Sequence, residues 1–396
     1  MASLIFRKGL DLKHEVAGVL ADSYHSQLVQ DIKASNYRFD SGRLTVHLAQ
    51  EFGFCYGVDR AVDYAYQARK RFPSQQVFLT GEIIHNPHVN DQLRAQGIRF
   101  LSDATEDWNH LTPADVVILP AFGVTIEELK RLDHLGCTLV DTTCGSVLNV
   151  WKNVKRYAQD QFTSVIHGKH WHEETRATAS QALATNGGHY LVVLDKTEAA
   201  LACGYITGST TRADFDARFK PAVSDGFDPD VHLQRVGCAN QTTMLSTESM
   251  EVGEMFRTAI RARYGAAAVA ARFRAFDTIC SATQDRQDAL IRLLDEQRLD
   301  LMIVIGGYNS SNTCNLARIC ATKIPTFHVA EPDGLISALE IRHRDVAIKK
   351  EVVSGGWLPA GGPVVVGLTS GASTPDNLVE QVVRRLDAFA TDGTTR

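Results

Sequence analysis

The run Leu44-Thr45-Val46-His47-Leu48-Ala49-Gln50-Glu51-Phe52-Gly53-Phe54-Cys55 alternates apolar and polar side chains, passes through a loop and reaches a cysteine just before Gly57-Val58-Asp59-Arg60. It reads as a strand that ends at a thiol, with a helix to follow. The pattern returns twice. Cys137-Thr138-Leu139-Val140-Asp141-Thr142-Thr143-Cys144 precedes Gly145-Ser146, and Phe273-Arg274-Ala275-Phe276-Asp277-Thr278-Ile279-Cys280 precedes Ser281-Ala282-Thr283. Val147, Val150, Trp151, Val154 and Tyr157 follow Cys144 at helical spacing, as Leu290, Leu293 and Leu294 follow Cys280. Three such passages in one chain point to an internal repeat.

Two further echoes support it. Val77-Phe78-Leu79-Thr80 leads to a polar loop with His85-Asn86, Ser164-Val165-Ile166 leads to one with His170-Trp171-His172-Glu173-Glu174, and Leu301-Met302-Ile303-Val304-Ile305 leads to one with Asn309-Ser310-Ser311-Asn312. His85, His172 and Asn309 stand 30, 28 and 29 residues past their cysteines. A third strand-and-loop set comprises Val116-Val117-Ile118-Leu119-Pro120-Ala121-Phe122-Gly123, Asn240-Gln241-Thr242-Thr243, and Val364-Val365-Val366-Gly367-Leu368-Thr369-Ser370-Gly371-Ala372-Ser373. Alternating strands and helices predict an α/β fold of parallel sheets with right-handed crossovers. Loops at the carboxyl ends of such strands form the ligand crevice. Three similar units in a pseudo-threefold trefoil would turn their polar loops toward one centre.

The expected organisation is an N-terminal extension over 1–43 and α/β units over 44–140 (Cys55), 141–272 (Cys144) and 273–396 (Cys280, with a C-terminal tail). The stretch 204–236, rich in Gly, Asp and Thr, reads as an insertion or flexible loop within the second unit. The chain has 396 residues, 44% hydrophobic and 22% charged, enough for sizeable cores. Its net charge of −5 argues against nucleic-acid binding. No apolar run approaches the roughly 18 residues that would span a bilayer. The opening Met1-Ala2-Ser3-Leu4-Ile5-Phe6-Arg7-Lys8 lacks the apolar core of a secretory signal, and no transit peptide is evident. Eight cysteines are too sparse for a disulfide scaffold and suit a reducing compartment. The expected location is the cytoplasm, or the plastid stroma in a plant lineage.

Cys55, Cys144 and Cys280, one per repeat, can converge as three thiolates. Three thiolates hold a cubane iron–sulfur cluster on three irons and leave the fourth open. Their wide spacing matches neither zinc ribbons nor ferredoxin runs. A lone cysteine is more often a small buried hydrophobe, which is the reading for Cys137, Cys203, Cys238, Cys314 and Cys320. His85, Asn86, His172, Ser310, Ser311, Asn312, Thr242, Thr243 and Ser373 supply the imidazoles, hydroxyls and amides that bind a diphosphate, although each Ser, Thr or Asn could equally cap a helix. Glu174 is the carboxylate among these loops, either a proton donor or a first-turn acid that complements a helix dipole. His170, His172 and Glu174 also form a weaker candidate zinc hydrolase site.

Phe52-Gly53-Phe54-Cys55-Tyr56-Gly57-Val58-Asp59-Arg60, Glu82-Ile83-Ile84-His85-Asn86, Asp141-Thr142-Thr143-Cys144, His172-Glu173-Glu174-Thr175, Gln241-Thr242-Thr243, Thr278-Ile279-Cys280-Ser281-Ala282-Thr283, Asn309-Ser310-Ser311-Asn312 and Gly371-Ala372-Ser373-Thr374-Pro375-Asp376 together resemble the 4-hydroxy-3-methylbut-2-enyl diphosphate reductase family. The likeness runs in order from about residue 32 to 387 and is to the plant and cyanobacterial branch. It implies a trefoil around one [4Fe-4S] cluster per subunit, held by Cys55, Cys144 and Cys280 with one iron not bound by cysteine. It implies that His85, His172, Ser310, Ser311, Asn312 and Ser373 meet the diphosphate, that Glu174 donates a proton and that Thr242 lies near the substrate hydroxyl. The implied reaction is a two-electron, two-proton loss of an allylic hydroxyl as water, giving isopentenyl and dimethylallyl diphosphate, the last step of the methylerythritol phosphate route. The open iron would act as a Lewis acid, with electrons from ferredoxin or flavodoxin. The resemblance departs at Phe122, where many bacterial members have a His, so one diphosphate contact is lost or supplied elsewhere. A [4Fe-4S] hydro-lyase and a non-catalytic iron–sulfur sensor remain as alternatives on the cysteines alone.

Overall fold

Val116–Leu119, Thr163–His167, Val236–Asn240 and Leu301–Ile305 are buried along their whole length. Strands covered on both faces need such unbroken apolar runs, and parallel sheets supply that cover through their crossover helices. A computed structural model of the chain describes residues 4–276 and 278–392. The start of the expected N-terminal extension (1–3), Asp277 of the third cysteine run and the end of the C-terminal tail (393–396) lie outside the described residues. No helix among the described residues is long and apolar enough to cross a membrane.

The described chain forms two compact units, one of Asp107–Cys280 with the N-terminal residues to Ile5, the other of Phe6–Glu106 with Ser281 onward. The first holds a fully parallel sheet ordered Phe273–Ala275, Val236–Asn240, Thr163–His167, Tyr190–Val193, and a parallel pair of Val116–Leu119 with Thr138–Asp141. Its core gathers Val165, Leu191, Val193, Phe215, Phe219, Val236, Phe256 and Ile260.

The second unit holds a seven-stranded sheet ordered Glu351–Gly355, Glu340–Arg344, Thr326–Val329, Leu301–Ile305, Val364–Ser370, Leu44–Leu48, Arg38–Ser41. The expectation of parallel sheets holds for its centre. Both edges are antiparallel, because the short turns after Arg344 and Ser41 allow only hairpins. Residue 43, the expected boundary of the N-terminal extension, lies in the turn of the second hairpin. Helices Lys13–Tyr24 and Gln27–Ala34 precede it. Val46, Leu48, Ile303, Ile305, Val366, Leu368, Val382 and Leu386 fill the core.

The stretch 204–236 is not a flexible loop. It contains the end of helix Lys196–Thr207 and the helices Arg212–Phe219 and Pro229–His232. Its Thr and Asp residues act as caps: Thr211 accepts from Asp214 N and Asp228 from Asp230 N. Phe215 and Phe219 reach the core at 1% exposure each, which fixes the segment.

Candidate functional site

Within each large sheet the chain reverses its direction of travel at one place. Thr163–His167 continues to Tyr190–Val193 on one side and later to Val236–Asn240 on the other. Leu301–Ile305 continues likewise to Thr326–Val329 and then to Val364–Ser370. Such switch points open a crevice at the carboxyl ends of the two diverging strands. The loops there carry His172, Glu174 and Thr242 in the first unit, and Ser310, Asn312 and Ser373 in the second.

Each of the three repeated cysteines is fastened by the same bond. The amide of Cys144 donates to the carbonyl of Ala121 at 2.8 Å, that of Cys55 to Ala372 at 3.1 Å, and that of Cys280 to Thr242 at 3.3 Å. All three acceptors belong to the third loop set. Cys55 and Cys144 stand immediately before the helices Tyr56–Arg71 and Gly145–Gln159, and neither sulfur caps its helix. Cys280 immediately precedes the helix Ser281–Glu296. All three are half-buried, while Cys137, Cys203, Cys238 and Cys320 are buried. Burial pushes these four thiols up, Cys203 to about 12, and so keeps them neutral. The Cys314 sulfur donates to Tyr308 O at 3.3 Å. Among the described residues no cysteine forms a disulfide. Three half-buried sulfurs at positive helix ends suit soft, anionic coordination.

In the first unit, Glu174 is the second residue of helix Glu173–Ala182 and only 3% exposed. Its carboxylate accepts the Thr242 N–H at 2.6 Å. The Thr242 peptide therefore touches Glu174 through its N–H and the Cys280 segment through its carbonyl. His172 caps the same helix, its Nδ1 accepting the Glu174 N–H at 3.2 Å. An accepting Nδ1 places the neutral ring's proton on Nε2, as a donor. The Phe122 ring meets the His172 ring edge-on at 6.2 Å, so the residue that departs from the family pattern packs against a candidate phosphate ligand. His170 packs its ring on Trp171 at 4.8 Å. Among the described contacts, His170, His172 and Glu174 are not gathered as zinc ligands. Gln241, fully buried, accepts from Lys169 N and Thr175 Oγ1 and shapes this loop.

In the second unit, Ser310 caps helix Ser311–Ala321 and accepts from Thr313 N and Oγ1, so the capping role is real. Asn86 caps Pro87–Ala95 likewise. Asn312 behaves differently: its Oδ1 accepts the Ala372 N–H at 3.0 Å, while its Nδ2, in a residue 2% exposed, has no hydrogen-bond partner among the described residues. Ser311, its neighbour in the chain, and Ser373 are both buried, and Ser373 Oγ donates to the His85 carbonyl at 3.4 Å. A Cβ on Gly307 would stand 2.5 Å from that same carbonyl, so only glycine permits this close approach. His85 Nδ1 donates to Glu82 at 2.7 Å, a partner that sequence reasoning missed although Glu82 stands three residues away.

The chain is similar to known proteins along most of its length. The family model described as LytB protein matches residues 46–387. The 4-hydroxy-3-methylbut-2-enyl diphosphate reductase of Gloeobacter violaceus is 49% identical over 388 residues, covering 96% of this chain and 91% of the relative. That of Synechococcus sp. WH7803 is 48% identical and covers 96% and 94%. A solved (E)-4-hydroxy-3-methyl-but-2-enyl diphosphate reductase, described as the terminal enzyme of the non-mevalonate pathway, is 27% identical with a TM-score of 0.53, covering 87% of this chain and 99% of its own. The Plasmodium falciparum reductase structure, 22% identical, shares the fold with a TM-score of 0.60, covering 86% of each chain. With the family model spanning most of the sequence and relatives near half identity over nearly all of it, the chain belongs to the LytB family.

Proposed function

We infer that this chain is an iron–sulfur oxidoreductase that removes the hydroxyl of 4-hydroxy-3-methylbut-2-enyl diphosphate as water, giving isopentenyl and dimethylallyl diphosphate. The observation that carries the reading is the Thr242 peptide, which links a buried carboxyl at Glu174 to the segment of Cys280. A sensor that only holds a cluster has no use for that acid.

Cys55, Cys144 and Cys280 are the residues that would hold a [4Fe-4S] cluster; their exposure supports this against the four buried cysteines, and their place just before a helix supports it against Cys314, which is half-buried but lies inside helix Ser311–Ala321. When bound, the group supplies single electrons and a Lewis-acidic iron that no cysteine occupies. The chain's own residues do the rest. In the first unit His172 Nε2, and in the second the Asn312 amide and the opening N–H groups of helix Ser311–Ala321, offer neutral donors to the diphosphate, with His85, Ser310, Ser311 and Ser373 as further candidates in the second unit's loops. Phe122 orients His172 in place of binding phosphate itself. Glu174 holds the proton that leaves with the hydroxyl, and Thr242 fixes its carboxyl in place. A small electron carrier, ferredoxin or flavodoxin, is the proposed donor.

Anaerobic turnover of the allylic diphosphate with a one-electron donor tests the reading. Both five-carbon diphosphates should form with reductant and neither without it. A product that differs from the substrate only by loss or gain of water, formed without reductant, would indicate a hydro-lyase instead.

A further inference from the structure

Arg286 lies on helix Ser281–Glu296 and is 3% exposed. Its Nη2 donates to the Gly53 carbonyl at 2.7 Å and its Nη1 to Ala282 O at 2.8 Å. Its Nε has no hydrogen-bond partner, and no carboxylate pairs with it among the described residues. A guanidinium stays charged, and a buried charge with no counter-ion is strongly unfavourable.

The place it bonds is informative. Gly53 precedes Cys55 by two residues. Its φ of +81° is a left-handed conformation, and a Cβ there would stand 2.6 Å from Asp376 Oδ1. That nearby acid is engaged by Lys33 at 3.2 Å. Ser370 Oγ accepts the Gly53 N–H at 3.0 Å, and Ala372 accepts the Cys55 N–H. The loop is thus pinned on several sides, and one of the pins is a cation with no paired carboxylate among the described residues.

We propose that Arg286 is a positioning residue for Cys55 and supplies a built-in positive charge on the loop that would hold the group. The inference rests on the function proposed above. A cluster on three thiolates is a net anion, and a fixed cation beside its ligand loop both steadies it and eases the addition of an electron.

The test compares the parent with Arg286→Gln and Arg286→Lys, each loaded anaerobically. Iron release to a chelator should be roughly 10–100-fold faster in Arg286→Gln, the usual effect of losing a partner behind a metal ligand. The midpoint potential should move negative in Arg286→Gln and return toward the parent in Arg286→Lys, which restores charge but not the planar fork. Unchanged release and potential in Arg286→Gln would overturn the proposal, as would equal potential shifts in both variants, which indicate packing alone. Should Arg286→Gln not fold, the potential of Arg286→Lys decides: near the parent supports the charge role, and a full negative shift overturns it. Inorganic diphosphate titrated into the metal-free chains gives a further arm. Thermal protection of the parent that vanishes in Arg286→Gln would assign the cation to phosphate and overturn the proposal. A parent that binds no iron overturns the function itself, whereas a loading parent with indistinguishable variants overturns only the arginine.

Discussion

Replacing Glu174 by Gln separates chemistry from architecture at one atom. The amide keeps an oxygen for the Thr242 N–H, which now lies 2.6 Å from the carboxylate. The bond changes from charge-assisted to neutral, a loss of about 1 kcal/mol. Removing a negative charge from the first turn of helix Glu173–Ala182 takes away about 0.3–1 kcal/mol more. Stability should therefore fall by only about 1–2 kcal/mol, and cluster content should be kept. The amide has no transferable proton, so turnover should fall by roughly 10²–10⁴-fold. Thermal melting and anaerobic steady-state rate, measured on the same preparation, read the two quantities independently. Turnover within a few-fold of the parent, together with the expected loss of stability, would remove Glu174 from the chemistry and leave it as a brace for the Thr242 loop.

Ser substitution at Cys55, Cys144 or Cys280 should abolish visible absorbance and activity, because a hydroxyl is a poor substitute for a soft thiolate; equal loss from Cys314→Ser would undo the assignment. Asn312→Ala and Ser373→Ala should each weaken substrate binding by about 1–3 kcal/mol, read from Kd, and neutrality of both would leave them as structural residues. Phe215→Ala should destabilise the chain by about 3–5 kcal/mol, since it empties a core position in a segment whose composition suggested a loop; an unchanged Tm would contradict the packing. Burial lowers the His328 pKa to about 4, so the unfolded chain binds the extra proton between about pH 6.5 and 4. Stability should fall across that window by up to about 3 kcal/mol, and His328→Gln should flatten the fall in acid-titration melts.

Much of this site was legible because the repeated element is local. A strand, a cysteine and a helix within some twenty residues leave their period in the sequence, and among the described residues each of the three cysteines follows a strand and immediately precedes a helix. The pairing of those strands left no such trace. Leu44–Leu48 lies beside Val364–Ser370, from the far end of the chain, and Phe273–Ala275 beside Val236–Asn240. Parallel neighbours are set by crossovers, and the residues of a short strand do not name its partner. The stretch 204–236 misled for a related reason. Thr and Asp open loops and cap helices with the same side-chain oxygen, so composition alone cannot separate the two, and the deciding residues were Phe215 and Phe219 facing the core.

The sharpest gap concerns groups that have no identity in sequence. The contact that fastens each repeated cysteine is a backbone carbonyl, at Ala372, Ala121 and Thr242, and any residue could supply it. What selects those positions is geometry: each acceptor follows the strand that lies beside the cysteine's own strand, so parallel register brings amide and carbonyl together. The same geometry explains why Arg286 escapes a sequence reading. On helical spacing it is an ordinary charged position between Asp285 and Gln287. Beyond its own helix, the left-handed turn at Gly53 brings a carbonyl to it, and in the fold no counter-ion meets it among the described residues.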